Sequence, residues 1–215
     1  IFAAGEANGL LLIEDLGDAL YARVVQDDPS LEAPLYEAAT DVLLDLHSAA
    51  PPALDLYDTA MMTKMAALAF DWYQLGAHAA VDIRAKTAFS SAFSALLDTE
   101  IGQPSVLIQR DYHAENLLWL PTREGTARVG LLDYQDALLG HPAYDLVSLL
   151  KDARRDVPEG IEEAMITRYV HASGMGNASF RNAYHVLGLQ RNLRILGVFA
   201  RLSMHFGKPS YVDLI

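Results

Sequence analysis

Three short apolar runs of the sequence each border a residue with an oxygen-bearing side chain. Asp111 follows the first run, Asn116 immediately precedes the second, and Asp133 follows the third. The apolar runs have the length and composition of short β-strands, and loops at strand ends are where a rigid scaffold displays reactive groups. We therefore expect these three side chains to serve one site.

These residue types suit phosphoryl transfer. The reaction needs a carboxylate that orients an attacking hydroxyl and accepts its proton, together with oxygen ligands for magnesium bound to nucleotide phosphates. Mg²⁺ prefers carboxylate and amide oxygens, with water completing its coordination. Asp111 can be the base, and Asn116 and Asp133 can bind the metal. The order Asp-x₄-Asn, followed by an aspartate after an apolar strand, is that of a kinase catalytic loop and metal-binding strand.

Three motifs occur in a recognisable order: Arg-Asp-Tyr-His-Ala-x-Asn at 110–116, Leu-Leu-Asp-Tyr-Gln-Asp-Ala at 131–137 and Gly-His-Pro-Ala-Tyr-Asp at 140–145. This set resembles the aminoglycoside phosphotransferase / choline kinase-like superfamily. It looks most like the branch that phosphorylates N-acetylmuramate and N-acetylglucosamine at the anomeric hydroxyl. The chain departs from the family pattern before the base, where Gln109-Arg110 replaces His-Gly.

The resemblance implies an α+β, protein-kinase-like fold. Residues 19–215 would form a mostly helical C-lobe with a small β-ribbon carrying the catalytic loop, and residues 1–18 the end of the N-lobe and the hinge. Leu10–Ile13 is expected to be a buried strand, followed by backbone around Glu14 and Leu16 that binds adenine. The sequence contains no Gly-x-Gly-x-x-Gly, so most of the N-lobe is expected to be absent from this chain.

Further residues are assigned supporting roles by the resemblance. Asp145 lies in an apolar segment, and buried acids are seldom left unpaired. We expect it to bond catalytic-loop backbone or a basic group, with Arg110 as the suggested partner. The candidates for substrate contact are Asp71, Trp72, Arg154 and Arg155. Alternatively, Asp71 and Trp72 serve helix packing, and the two arginines lie at a solvated helix end.

Apolar periodicity predicts the helices that must position these groups. The predicted helices span 35–49, 58–75, 87–99, 142–151, 159–171 and 180–206. The last of these is expected to be the packing helix of the lobe, with arginines along it.

Composition narrows the possible partners. The 215 residues carry a net charge of −12 and include no cysteine. Such acidity disfavours nucleic acid and anionic membranes as partners. The missing cysteines remove disulfides and thiolate metal sites, which fits a cytoplasmic protein. No apolar run approaches the length of a membrane span.

The sequence thus predicts an ATP- and Mg²⁺-dependent kinase whose acceptor is a hydroxyl of a small molecule, by resemblance an amino sugar. An aminoglycoside, choline or homoserine stays open as acceptor, as does a non-catalytic, pseudokinase-like binding protein. A metal hydrolase using Asp111, His113 and Asp133 is a third possibility, weakened by the scattered histidines. The oligomeric state is left open.

Overall fold

The computed structural model describes residues 1–215. The α-helices are α1 (Tyr21–Asp27), α2 (Glu32–Ser48), α3 (Thr59–Ala66), α4 (Leu75–His78), α5 (Ile83–Glu100), α6 (Ala143–Leu150), α7 (Glu159–Ser173) and α8 (Asn177–Phe206). The strands are β1 (Ala3–Gly5), β2 (Leu10–Leu12), β3 (Val106–Ile108), β4 (Leu117–Trp119), β5 (Val129–Leu131) and β6 (Leu138–Gly140). Helices dominate and the sheets are small, as the sequence predicts. No helix combines the length and the apolar character needed to cross a membrane.

The strands form three separate antiparallel pairs, β1–β2, β3–β6 and β4–β5. In the β3–β6 pair Val106 lies opposite Gly140 and Ile108 opposite Leu138. A Cβ on Gly140 would lie 2.5 Å from the Ile108 side chain, so a residue without a side chain is needed there. The β3–β6 and β4–β5 pairs contain the ends of β3, β4 and β5 that border the three predicted site residues.

The core lies where α6 packs against α8 and α2 packs against α7. Every residue of α6 is buried, and its apolar side chains Leu146, Val147, Leu149 and Leu150 point to several sides of the helix. A helix that is apolar all round belongs in a protein interior. This central position lets α6 support the loop that follows β3.

The segment predicted as one helix over 58–75 is helical, but it is not a single α-helix. Asp58 caps α3 through a bond from the Met61 N–H (2.8 Å), but α3 ends at Ala66 and a π-helix follows at Ala69–Gln74. The break lies where Leu68 packs directly on α8: a Cβ on Gly197 would lie 2.4 Å from the Leu68 carbonyl carbon. Tertiary contact here overrides the continuous helical pattern.

The expectation that Leu10–Ile13 is buried is also wrong. The side chains of β2 and Ile13 are exposed, from 60% at Ile13 to 66% at Leu10. The reason is the size of the sheet, since β2 pairs only with β1. A two-stranded hairpin has no second layer against which to bury its faces.

Candidate active site

The loop after β3 is held by a buried carboxylate. Asp145, on the first turn of α6, is fully buried and accepts hydrogen bonds from the backbone N–H groups of Gln109 (2.6 Å) and Arg110 (2.9 Å). Arg110 has a φ of 73°, which is uncommon for a residue other than glycine. Such strain persists where surrounding structure enforces it. Asp145 is well placed to do so, and Asp111 follows directly.

The Arg110 side chain does not pair with Asp145. Its Nη1 donates to the Asp136 carbonyl oxygen at 3.4 Å, and its guanidinium lies 5.7 Å from the centre of the Tyr57 ring. The Arg110 carbonyl oxygen accepts a bond from the Ser148 hydroxyl (3.3 Å). Arg110 therefore meets Asp145 through its backbone N–H group, and the expected charge pair is absent.

Asn116 closes the loop from the other end. Its side-chain nitrogen Nδ2 donates to the carbonyl oxygen of Asp111 at 2.9 Å. A carbonyl can only accept, so this contact fixes the amide orientation and leaves Oδ1 without a hydrogen-bond donor from the protein. The backbone oxygen of Asn116 accepts from the Leu132 N–H at 3.0 Å, which ties the loop to the segment carrying Asp133.

Asp133 follows β5 with a φ of 57°, the second strained backbone position at this site. Its Oδ1 accepts from Gln135 Nε2 at 2.5 Å, and its Oδ2 has no donor within the protein. The free oxygens of Asn116 and Asp133 are the hard donors that Mg²⁺ prefers, and the remaining positions would go to water and phosphate oxygens. The donor set therefore fits a magnesium ion.

Asp111, Asn116 and Asp133 line one cleft of about 250 Å³. Arg154, from the loop after α6, lines the same cleft, as do Arg191 and Arg194 of α8. The other lining residues are His113, Glu115, Ile195, Val198, Phe199, Leu202 and Tyr211. The cleft thus combines carboxylates, an amide and arginines over an apolar helix face.

Burial changes the protonation of two groups beside Asp111. Burial raises the pKa of Asp145 to about 7, although the N–H groups of Gln109 and Arg110 oppose this by stabilising the carboxylate. Burial lowers the pKa of His113, although the nearby Asp152 carboxylate acts in the opposite direction. A neutral His113 is consistent with its 3.5 Å approach to the Asn116 amide and with a buried Nδ1 that has no partner.

Comparison with known proteins decides the family. Residues 2–184 match the phosphotransferase enzyme family, APH. The chain belongs to this family. The family assignment made from the three motifs is therefore confirmed, and the protein-kinase-like fold that the family implies is compatible with the helical architecture. In this family member, the motifs at 110–116 and 131–137 supply the cleft's acids and amide.

Several proteins named N-acetylmuramate/N-acetylglucosamine kinase are similar along the chain. The one from Caulobacter vibrioides is 42% identical over 226 residues, covering 100% of this chain and 62% of the relative. That from Pseudomonas aeruginosa is 32% identical, covering 99% and 63%. That from Neisseria meningitidis is 30% identical, covering 94% and 63%. The chain spans about three-fifths of the length of these relatives.

Of the four residues proposed for substrate contact, Arg154 alone lines the cleft that holds Asp111. Arg155 pairs with Glu32 at 2.6 Å. Asp71 pairs with Lys86 at 2.5 Å. The Trp72 ring lies 5.8 Å from that of His205, centre to centre. Asp71, Trp72 and Arg155 therefore have partners elsewhere in the structure.

The two expected hinge residues also lie outside this cleft. The Glu14 carboxylate forms an ion pair with Arg123 in the β4–β5 connection. The Leu16 side chain packs on Gly130 of β5, where an added Cβ would lie 2.8 Å from its Cδ1. These side-chain contacts join the segment after β2 to the β4–β5 hairpin. The expected adenine contacts involve backbone groups around Glu14 and Leu16, and they stay a prediction.

Arg191 and Arg194 were missed as site residues. Arg194 Nη1 lies 3.8 Å from Asp111 Oδ1, and Arg191 is buried with Nη1 donating to the Lys151 carbonyl oxygen at 3.3 Å. The available signal was their spacing, because residues three apart share a helix face. Two arginines share a helix face with the apolar Ile195 and Val198, which indicates that this face points towards the protein interior. A helix that only packs does not need charged residues on its interior face.

Proposed function

We propose that this chain is the mainly helical catalytic portion of an ATP- and Mg²⁺-dependent small-molecule kinase. Its acceptor would be a hydroxyl of an amino sugar, N-acetylmuramate or N-acetylglucosamine. The observation that carries the proposal is the shared cleft lined by Asp111, Asn116 and Asp133. The names of the relatives support the acceptor class.

In this proposal Asp111 orients the acceptor hydroxyl and accepts its proton. Asp145 and Asn116 both bond the backbone around Asp111, so the carboxylate is positioned before substrate binds. Asn116 and Asp133 would hold Mg²⁺, whose charge would offset that of the nucleotide phosphates. Positioning and charge stabilisation, without a covalent intermediate, would supply most of the rate increase.

The proposal places residues 1–18 at the end of an N-lobe and its hinge, and residues 19–215 in the C-lobe. Backbone groups around Glu14 and Leu16 would contact adenine. The exposed apolar side chains of β2 support this placement, because strands of a larger sheet would cover them. In this view most of the N-lobe lies outside these 215 residues, and the enzyme acts in the cytoplasm on ATP.

Specific observations weigh against the other acceptors and activities. Three arginines line the cleft beside Asp111, Glu115 and Asp133, so the cleft lacks the excess of carboxylates that would favour a cationic aminoglycoside or choline. No group of three or more His, Cys, Asp or Glu side chains is arranged to hold a metal, as a hydrolase centre would require. A magnesium ion needs fewer protein ligands, so Asn116 and Asp133 suffice.

The test uses the full-length protein. Asp111→Asn should lower turnover of amino sugar and ATP by roughly 10²–10⁴-fold, the usual contribution of a general base, while nucleotide binding persists. Asp133→Ala should weaken Mg²⁺-nucleotide binding. Asp136→Asn removes a charge from an exposed neighbour outside the cleft and serves as the control.

A near-normal rate for Asp111→Asn would remove Asp111 as the base. Unchanged Mg²⁺-nucleotide affinity in Asp133→Ala would remove the metal assignment. Sugar or nucleotide binding by the wild type with no turnover of any acceptor would favour a non-catalytic binding protein.

A further inference from the structure

Buried and half-buried arginines line the cleft, and the nearby carboxylates do not pair all of them. We call Arg154, Arg191 and Arg194 the arginine cluster. Arg191 is 2% exposed, and no carboxylate lies within ion-pair distance of it. The Nε atoms of Arg191 and Arg194 are buried without a hydrogen-bond partner.

The carboxylates near the cluster neutralise it unevenly. Arg154 Nε lies 3.1 Å from Glu115, and its Nη1 lies 3.5 Å from the buried Asp152. Arg194 has only the longer contact to Asp111, at 3.8 Å. Burial lowers the pKa of Arg191 and the neighbouring Arg194 adds to that effect, while Asp152 and Asp111 oppose it from beyond ion-pair distance. A buried cation without a charged partner is costly, so an anion entering the cleft would be stabilised there.

The position of the cluster indicates which bound molecule would supply the anion. Arg191 and Arg194 share α8 with the apolar cleft residues Ile195 and Val198, and the Arg154 guanidinium lies 5.9 Å from the centre of the Phe199 ring. Guanidinium groups beside an apolar and aromatic wall suit a sugar ring with a charged substituent. Arg194 also adjoins Asp111, the residue proposed to contact the reacting hydroxyl.

We propose that the arginine cluster binds the carboxylate of an anionic sugar, so that the cleft favours N-acetylmuramate over N-acetylglucosamine. The two sugars differ in the lactyl carboxylate of the first. Guanidinium forks match a carboxylate in geometry and form strong charge-assisted hydrogen bonds with it. The inference rests on the proposed function. It adds a preference between the two sugars, which the name N-acetylmuramate/N-acetylglucosamine kinase of the relatives does not state.

The same cluster could attract another anion, the phosphoryl group in transfer, and the experiment separates the two sources. A phosphoryl role would affect both sugars equally, because both receive the same group. A carboxylate role would affect N-acetylmuramate alone. The methyl ester of N-acetylmuramate adds a third arm, since it keeps the bulk of the lactyl group and loses its charge.

The experiment measures kcat/KM and equilibrium sugar binding for the full-length protein with N-acetylmuramate, its methyl ester and N-acetylglucosamine. Arg154→Gln alters the most accessible member of the cluster. Arg191→Lys keeps charge at the buried position but loses the fork, which guards against a variant that does not fold. Arg181→Gln removes a charge from an exposed part of α8 outside the cleft and is the control.

We expect the wild type to prefer the acid over its ester by about tenfold or more, the size of effect expected from charged hydrogen bonds. Arg154→Gln and Arg191→Lys should lower the ratio of N-acetylmuramate to N-acetylglucosamine kcat/KM by a similar factor, and Arg181→Gln should not change it. Equal use of acid and ester, or equal loss with both sugars, would overturn the inference alone. No turnover of either sugar would overturn the proposed function and the inference with it.

Discussion

Replacing Asp145 with asparagine tests how the loop before Asp111 is held. Asp145 is fully buried and uses both carboxylate oxygens to accept the N–H groups of Gln109 and Arg110. Asparagine has nearly the same shape but carries no charge and offers one acceptor oxygen. Its amide nitrogen would face a backbone donor, so one of the two hydrogen bonds that the carboxylate accepts would be lost.

The magnitude follows from two opposing effects. The lost hydrogen bond leaves a buried N–H unsatisfied, which costs about 1–3 kcal/mol. Burial raises the pKa of Asp145 from 3.8 to about 7, so the folded protein binds a proton that the unfolded chain has released between those values. The wild type therefore loses stability as pH rises, by about 3 kcal/mol between pH 5 and pH 8 at roughly 1.4 kcal/mol per pH unit.

Asparagine does not titrate, so the Asp145→Asn variant should not lose stability at this position as pH rises. Relative to wild type, its free energy of unfolding should rise by about 3 kcal/mol between pH 5 and pH 8. Denaturant unfolding of both proteins at several pH values measures the difference, and groups common to both cancel. A difference that stays constant across this range would refute the assignment of a buried carboxyl titrating near neutral pH.

Three further changes probe packing and titration elsewhere. Gly197→Ala forces a Cβ to within 2.4 Å of the Leu68 backbone and should lower the free energy of unfolding by about 1–3 kcal/mol. Gly160→Ala, which has open space around it, should be neutral or stabilising. Equal effects of the two changes in thermal unfolding would contradict the packing argument. Burial lowers the pKa of His47 to about 4, so the free energy of unfolding of the wild type should fall by about 3 kcal/mol as pH falls from about 6.5 to 4. His47→Gln should not show this fall, and acid unfolding curves that overlay for the two proteins would contradict the argument. Tyr112→Phe removes a 2.8 Å hydrogen bond to the Ala39 carbonyl oxygen of α2 and should cost about 0.5–1.5 kcal/mol in denaturant unfolding, the usual net contribution of one hydrogen bond. An unchanged free energy of unfolding would show that this bond adds no stability.

The sequence alone determined the parts of the site that depend on short-range geometry. Asp111 and Asn116 are five positions apart, and a loop of that length brings the amide of one to the backbone of the other. The apolar runs around them predicted the strands, and helical periodicity predicted most of the helices. These features follow from local chain geometry and from the pattern of apolar residues, both of which are written directly in the sequence.

Tertiary structure alone decided which distant residues join the cleft. Arg194 reaches Asp111, and Arg191 lines the same cleft, because α8 packs on α6; spacing within α8 does not say which element that face will meet. The same holds for Leu68, which meets Gly197 of α8 where α3 gives way to the π-helix. Residues far apart in sequence meet only once the whole core has packed, since burial energy depends on the complete arrangement and not on any one segment.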